Sequence, residues 1–450
     1  MSDRGKGTES AGGEAPDSES ASESETYSNR EIRTIALAVI GGVFFGGVAT
    51  GVAYPTLPLL DEHLLISAVM LSIILSANRI ARLFMNTPAG SIIDRYGTRK
   101  PMIFGLYTQA LAPFGYIAGL YTPAYVLGTL PIIGEVSAPG IVFVLARLFW
   151  GVGSAFVFIG AFATITYVTT TQNRGQWVGY MRGFDSLGFP AGLIVGGVLT
   201  DLAGMEIAFL VGGILALIAG TIATLVLPDV HAGTDRDSAR IRDIPGILRE
   251  RPAVLAIGYG NFTIQLLWGG IVLVTLARYA EVHGMQISAL EAAGISGVVM
   301  ALGVVTSGVT TLFTGWVSDR MRDRSLLTVP AFVAMAVGFL VIAYYPVLEL
   351  LLVAIVLIGF GIGMSAPALL AILGDLTPGD ELGRMGGVYN VMGDIGLSLG
   401  PLVAIPAVES WFGYQWTYVL CALLVVSCLT VVSIPLLRDP AVSTTTVNAD

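Results

Sequence analysis

The stretch GSIIDRYGTRK, residues 90–100, places Asp94, Arg95 and two further cations close together after a long apolar run. A related stretch, GWVSDRMRDR, occupies residues 315–324 and again follows an apolar run. Each stretch has a Gly, an Asp-Arg pair four residues later and then further cations. Two copies of one charged turn indicate an internal repeat, and the apolar runs beside them indicate helices that cross a membrane.

The composition excludes an ordinary soluble protein. Of the 450 residues, 54% are hydrophobic and only 12% are charged, whereas soluble proteins average about 25% charged residues. Apolar segments of about 20 residues recur along the chain, each long enough to cross the ~30 Å hydrocarbon layer as a helix. The net charge of −9 argues against a nucleic-acid partner. We therefore predict an all-α polytopic membrane protein that resides in the lipid bilayer.

Hydropathy predicts twelve transmembrane helices, six on each side of a polar linker. The predicted segments are a disordered acidic cytoplasmic tail at 1–31, an N-terminal six-helix bundle at 32–227, a cytoplasmic linker at 228–252, a C-terminal six-helix bundle at 253–437 and a cytoplasmic tail at 438–450. The two bundles are expected to be pseudo-symmetric, because the charged turn occurs once in each of them.

The spacing of the repeats also predicts an insertion. The charged turns begin at residues 90 and 315, whereas YMRGFD at 180–185 recurs as YNVMGD at 389–394, so the second pair lies 16 residues closer together. An extra segment of that size should lie between the two landmarks of the first half. The Pro- and Gly-broken stretch at 121–139 is in the right place. We expect an external insertion there, in the form of a short interfacial helix.

The distribution of cations predicts the topology. Most of the 23 Lys and Arg residues lie in the termini and in the loops after even-numbered spans, and such residues concentrate in cytoplasmic loops. Both termini should therefore be cytoplasmic, in the cell membrane of a prokaryote. No Walker-type phosphate loop occurs, and neither a cofactor nor a metal is expected. Four cations fall inside predicted spans instead: Arg79, Arg82, Arg147 and Arg182.

These features resemble the major facilitator superfamily over almost the whole folded chain. In that family the loop between spans two and three reads G-x-x-x-D-R-x-G-R-[RK]. The matching residues here are Gly90, Asp94, Arg95, Gly97, Arg99 and Lys100, and in the second copy Gly315, Asp319, Arg320 and Arg324. The resemblance implies two bundles that rock about a central cavity, with this gating motif latching their cytoplasmic ends in the outward-open state. The alternative is that its charges only set the topology.

Two further elements resemble the family's proton-coupled members. Arg147, Gly151 and Gly153 resemble the R-x-x-x-G-x-G element that the family links to proton coupling. GFDSLGFPAGLIVGG at 183–197 resembles the G-x-x-x-G-P-x-x-G-G pattern of drug and proton antiporters, except that Phe189 separates the Gly from the Pro. Close helix packing by small residues is the alternative explanation for these glycines.

Ionisable groups inside spans mark the candidate sites, because they are costly in a membrane. Asp185 and Asp394 occupy equivalent repeat positions. The proton-coupling candidates are Asp185, Asp394, Arg147 and Arg182, and an intrahelical ion pair between Arg182 and Asp185 is the structural alternative. The substrate-cavity candidates are Arg79, Arg82, Asn261, Gln265, Trp268 and Asn390, although amides in spans also serve as packing hydrogen bonds.

The resemblance and these residues together predict a secondary transporter and not an enzyme. We expect a monomer that moves a small-molecule substrate by alternating access, with protons as the coupling ion and efflux as the direction. Uptake or exchange of an organic anion at the intramembrane arginines is the alternative. A membrane receptor that does not transport is a third hypothesis.

Overall fold

The computed structural model describes residues 28–60, 64–131, 133–169, 173–228, 252–318, 320–321, 323–377, 381–434 and 436. Within these residues, twelve helices are long and apolar enough to cross a membrane. The predicted acidic tail, linker and C-terminal tail lie almost wholly outside the described residues.

The helices form two bundles of six, as predicted. The N-terminal bundle consists of α1 (Asn29–Thr56), α2 (Ala68–Tyr96), α3 (Arg99–Tyr121), α4 (Ala138–Val168), α5 (Arg174–Ala203) and α6 (Met205–Val226). The C-terminal bundle consists of α7 (Pro252–Val282), α8 (Ala292–Ser318), α9 (Thr328–Tyr344), α10 (Leu348–Leu376), α11 (Leu382–Glu409) and α12 (Gly413–Ser433). Residues Leu266–Val272 of α7 form π-helical turns, a distortion that is frequent at functional sites.

The insertion between α3 and α4 is a β-hairpin. Strands β1 (Val126–Leu130) and β2 (Gly134–Ser137) pair in antiparallel fashion, so the expectation of a short helix at 121–139 is wrong. The same Pro and Gly residues that interrupt a helix also favour a turn between two strands, and Gly134 adopts a positive φ of 76°. We call this end of the bundles the hairpin end.

The opposite end of the bundles holds the charged turn between α2 and α3, and we call it the motif end. Gly97 ends α2 with a φ of 77°, a backbone conformation that is easy for Gly and strained for residues with a Cβ. The chain then re-enters a helix at Arg99. Gly97 of the gating motif therefore has a local structural role, because it ends one helix sharply before the next begins.

Glycines bring α5 into close contact with α1. A Cβ at Gly188, Gly192 or Gly196 would overlap with backbone atoms of α1. These are glycines of the antiporter-like pattern, so close helix packing, the structural alternative for that pattern, accounts for them. Gly197, the next residue, faces the other way and would overlap with the backbone of α8.

Replacement of Gly192 by Ala is expected to lower the thermal stability of the protein, because the added methyl must displace the α1 backbone. Overpacking of this kind costs about 1–3 kcal/mol. Gly183→Ala is the matched control, since Gly183 lies on the same helix with nothing within 4 Å of a Cβ. The measurement is thermal unfolding in detergent. Equal midpoints for the two variants would contradict the packing role.

The hydrophobic core joins the two bundles at the hairpin end and is divided at the motif end. Leu57 and Phe209 of the N-terminal bundle belong to the same buried cluster as Leu273 and Leu276 of α7. At the motif end, the N-terminal bundle has a cluster of its own that contains no residue of the C-terminal bundle. The described residues therefore form a structure that is closed at the hairpin end and open at the motif end.

Candidate functional site

An ion pair joins the two bundles at mid-height. Arg82 Nη2, near the middle of α2, lies 2.9 Å from Asp394 Oδ1, near the middle of α11. The two side chains are 30% and 22% exposed, so the pair borders the open side of the structure and is not sealed in the core. A substrate-cavity candidate and a proton-coupling candidate thus form one contact, a pairing that the sequence did not indicate.

Arg79 lies one helical turn from Arg82 and is held by a tyrosine. Its guanidinium donates a hydrogen bond to the Tyr54 hydroxyl and also lies 5.7 Å from the centre of the Tyr54 ring. Tyr54 packs edge-on against Phe189 of α5. Arg79 is therefore fixed by α1, and Tyr54 is a residue of the site that the sequence analysis missed.

Arg147 of α4 serves to bind α2. It is only 2% exposed, and its guanidinium donates to the carbonyls of Ile74 and Leu75 at 3.2 Å and to Asn78 Oδ1 at 2.8 Å. Gly151, one turn along α4, permits this contact, since a Cβ there would overlap with the Asn78 carbonyl. Arg147 and Gly151 of the R-x-x-x-G-x-G element thus pack α4 against α2, whereas a Cβ at Gly153 would overlap with the Gly105 carbonyl of α3.

Replacement of Arg147 by Met is expected to destabilise the N-terminal bundle, because Asn78 Oδ1 loses a charged donor. Hydrogen bonds to charged groups contribute about 1.5–3 kcal/mol each, and a lowered unfolding midpoint in detergent is the expected result. Arg278→Met is the control, since Arg278 forms an exposed surface pair with Glu281. A variant at Arg147 that unfolds at the wild-type temperature would contradict this structural role.

Asp185 differs from Asp394 in its surroundings, although the two occupy equivalent repeat positions. It is half-buried in α5 and forms no hydrogen bond or ion pair with another described residue. Arg182, one turn away, lies over the Phe158 ring at 4.8 Å from its centre. The side chains of Arg182 and Asp185 are therefore not in ion-pair contact, although the positive charges of Arg182 and Arg82 both act on the Asp185 carboxyl.

The candidates from α7 and α11 have different environments. Asn261 Nδ2 donates a hydrogen bond to the Tyr389 carbonyl at 2.8 Å. Asn261 therefore joins α7 to α11. Trp268 is 8% exposed and lies against Gly303 of α8, where a Cβ would overlap with its ring. Gln265 is half-buried and Asn390 is exposed, so these two amides are the better candidates for contact with a solute.

The closed hairpin end is secured by a carboxylate that caps a helix of the other bundle. Asp201 Oδ2, at the end of α5, accepts hydrogen bonds from the backbone N–H groups of Glu291 at 2.6 Å and Gly294 at 2.7 Å. N–H groups at the start of a helix such as α8 have no partner within the helix, and negative charge is favourable there. A Cβ at Gly294 would lie 2.5 Å from Asp201 Oδ2, so the close approach requires Gly. We call this contact the hairpin-end latch.

At the motif end, the described contacts of Arg95 and Arg99 in the gating motif lie within the N-terminal bundle. Asp94, Arg95 and Lys100 are exposed, and the Arg95 guanidinium lies 5.3 Å from the centre of the Tyr96 ring. Arg99 donates to the Thr224 carbonyl of its own bundle at 3.0 Å. Among the described residues, no atom lies within 4 Å of a Cβ at Gly90, so no helix packs closely against this residue in the open state.

The second copy of the motif has a similar arrangement where it is described. Arg320 donates to the Trp316 carbonyl at 2.8 Å and stacks on the Trp316 ring, and Arg324 pairs with Asp375 of α10 at 3.1 Å. Nothing lies within 4 Å of a Cβ at Gly315, and Asp319 lies outside the described residues. These contacts all lie within the C-terminal bundle.

Two residues with clear structural roles, Asn78 and Asp201, are absent from the sequence-based candidates for different reasons. Asn78 is an amide inside a predicted span, beside Arg79, and this unusual polar pair was a usable signal. Asp201 falls at the predicted end of span five, where a carboxylate is unremarkable. Only the packing of α5 against α8 shows that it caps a helix.

Comparison with known proteins identifies relatives along most of the chain. The sequence profile described as Major Facilitator Superfamily matches residues 39–309 and 294–449. Multidrug resistance protein 2 of Bacillus subtilis (strain 168) is 21% identical over 376 residues, which cover 82% of this chain and 88% of that protein. The class G tetracycline resistance protein of Vibrio anguillarum is 24% identical over 426 residues, which cover 91% and 98% of the two chains.

A solved structure has the same fold. The nucleoside transporter NupG aligns with a TM-score of 0.72 at 16% identity, over 90% of this chain and 100% of that chain. At this identity the alignment shows that the fold is shared and does not show which solute this chain transports.

Proposed function

This chain belongs to the Major Facilitator Superfamily, and on that premise we propose that it is a proton-coupled exporter of small organic molecules. It is a multi-pass membrane transporter and not an enzyme. Relatives named for multidrug and tetracycline resistance, which match 82% and 91% of the chain, support export of an organic compound. The observation that carries proton coupling is the pair of equivalent carboxyls, Asp185 and Asp394, at mid-height beside the open side.

The two carboxyls have complementary roles in this proposal. Protonation of Asp394 removes the charge that attracts Arg82, which weakens the contact between α2 and α11 and allows the bundles to rearrange. Asp185 forms no hydrogen bond or close ion pair with a described residue, although Arg182 and Arg82 interact with its charge. In this proposal it binds a proton or a cationic group of the solute. Asn390 and Gln265 supply polar contacts from the other bundle. One chain contributes all of these groups, which supports the monomer as the functional unit.

Alternating access in this proposal is an exchange between two sets of end contacts. In the state described here, the hairpin-end latch is formed and the motif end is open. In the opposite state the latch opens and the motif end, which carries the gating motif, closes.

The organic-anion alternative receives less support from the arginines. Arg147 is occupied by α2, Arg82 is neutralised by Asp394, and Arg79 is bound to Tyr54. Arg182 stacks on an aromatic ring. An anion would therefore have to break existing contacts of the scaffold to bind any of them.

Transport in proteoliposomes tests the proposed function. Vesicles that contain the purified protein and have an acidic lumen should accumulate tetracycline or a cationic dye several-fold above the level reached without a pH gradient. A protonophore should abolish the difference. Transport at a rate that is independent of the pH gradient would contradict proton coupling. Transport of organic anions alone would favour the organic-anion alternative. Absence of flux for every compound class would favour a receptor.

We further propose that the motif end faces the cytoplasm and the hairpin end faces the outside of the cell. The concentration of Lys and Arg at the motif end supports this orientation. Tyr96→Cys places a thiol at a position that is 53% exposed at the motif end. It should react with a membrane-impermeant maleimide only after cells are opened. Reaction in intact cells would overturn the orientation.

A further inference from the structure

A cavity lies between α1 and α5 at the motif end. Its volume is roughly 440 Å³, within the range of cavities that bind small ligands. Its apolar wall is formed by Leu37 and Ile40 of α1 and by Tyr180 and Phe184 of α5. Phe44 packs edge-on against Phe184, with the ring centres 6.1 Å apart. We call it the α1–α5 cavity.

The α1–α5 cavity is separate from the central site. Helical residues turn by about 100° each, so Tyr180 and Asp185 point about 140° apart on α5. Asp185 and Phe189 face the side on which Tyr54 and Arg79 lie, whereas Tyr180 faces the opposite side. Leu37, Tyr180 and Phe184 are 52%, 46% and 46% exposed. Large exposed apolar side chains on the outside of a transmembrane bundle face the hydrocarbon of the bilayer.

The rim of the cavity is polar and positively charged. Gln176 Nε2 donates to the Tyr180 hydroxyl at 2.9 Å, and Trp177 packs edge-on against Tyr180 at 5.7 Å. Such aromatic residues are typical of the level at which lipid headgroups begin. Arg33 lines the cavity and is exposed. It forms no ion pair with a described residue, and the nearby Glu31 carboxylate is already held by Ser28 at 2.7 and 2.9 Å.

We propose that the α1–α5 cavity is a binding site for one anionic phospholipid of the leaflet at the motif end. The phosphate group pairs with Arg33 at the rim, and an acyl chain lies along Leu37, Ile40 and Phe184. The positive charge at the rim complements the anionic headgroup of the lipid, and the apolar wall beneath the rim complements its acyl chain. Because the site lies on the outer face of one bundle, the lipid bridges α1 and α5 and leaves the central cavity free.

Native mass spectrometry of the full chain in detergent tests this site without any knowledge of the transported solute. The probes are phosphatidylglycerol and phosphatidylcholine with identical acyl chains. The wild type should retain phosphatidylglycerol about fivefold better than phosphatidylcholine, as one basic residue near an anionic surface would produce. Arg33→Gln should lose this preference, and Leu37→Asn should weaken retention of both lipids.

Arg30→Gln is the matched control, because Arg30 is an exposed cation one turn before Arg33 on the same helix and does not line the cavity. It should retain the wild-type preference. Inorganic phosphate should not displace the lipid, since phosphate has no acyl chain to contact the apolar wall. An unchanged preference in Arg33→Gln, or no preference in the wild type, would overturn the proposal. Unfolding midpoints in lipid-free detergent, expected to be equal, show that the variants are folded.

Discussion

Replacement of Asp394 by Asn is expected to abolish proton-driven accumulation in proteoliposomes and to leave solute exchange without a gradient intact. The variant removes the carboxyl that takes up the proton and also the partner of Arg82, 2.9 Å away. Hydrogen bonds to charged groups contribute about 1.5–3 kcal/mol. Loss of such a bond changes the equilibrium between the conformations with and without the contact by roughly 10- to 150-fold. The measurement is the ratio of solute inside and outside the vesicles with and without the pH gradient.

Two further variants make this result specific. Glu281→Gln breaks an exposed pair of similar length with Arg278 at the hairpin end, and coupling should persist because surface pairs contribute only about 0–1 kcal/mol. Arg82→Gln combined with Asp394→Asn should recover part of the stability lost in Asp394→Asn, because it leaves no unpaired guanidinium. Intact coupling in both Asp394→Asn and Asp185→Asn would contradict the assignment of the two carboxyls.

Replacement of Asp201 by Ala is expected to shift the protein away from the conformation that is closed at the hairpin end. The variant removes both hydrogen bonds to the start of α8 and the favourable charge at that helix terminus. The combined effect should be about 1–3 kcal/mol, or about 5- to 150-fold in the equilibrium between the two conformations. Thiol accessibility of Cys residues placed at the hairpin end reports this shift.

Gly294→Ala provides an independent route to the same result, because the added methyl would crowd Asp201 Oδ2. Glu291→Gln is the control, since only the backbone N–H of Glu291 takes part in the latch. Unchanged accessibility in Asp201→Ala and Gly294→Ala would show that the latch does not hold the hairpin end closed. If Glu291→Gln changed thiol accessibility by the same amount, the net charge near the latch would be responsible for the effect, and not the capping contact of Asp201.

The helices and their arrangement in two bundles could be predicted from the sequence because hydropathy and repeated motifs act locally. Twelve apolar segments of sufficient length leave few alternatives in a bilayer. Cys421 and Cys428, which are buried and free, lie on one such apolar segment. The transmembrane segments could thus be predicted. The β-hairpin could not, because a short Pro- and Gly-rich segment is compatible with several local structures.

The contacts of the site could be predicted only in part. The sequence gives the height of Arg82, Arg147 and Asp394 in the membrane, because each position along a helix corresponds to a depth. It does not give the rotation of each helix or the neighbour that it faces. Arg147 was grouped with the proton-coupling residues through its resemblance to the R-x-x-x-G-x-G element. Neither that resemblance nor its depth indicated that its guanidinium contacts α2 carbonyls and Asn78.

The central claim is that the two ends of the bundles open alternately, and spin-label distances in lipid nanodiscs test it most directly. Leu202→Cys and Val282→Cys label the hairpin end, and Gly175→Cys and Leu312→Cys label the motif end. All four positions are exposed, and the native Cys421 and Cys428 are buried. Introduction of Asp201→Ala should lengthen the hairpin-end distance and shorten the motif-end distance. A motif-end distance that stays constant, or that lengthens together with the other, would contradict alternating access.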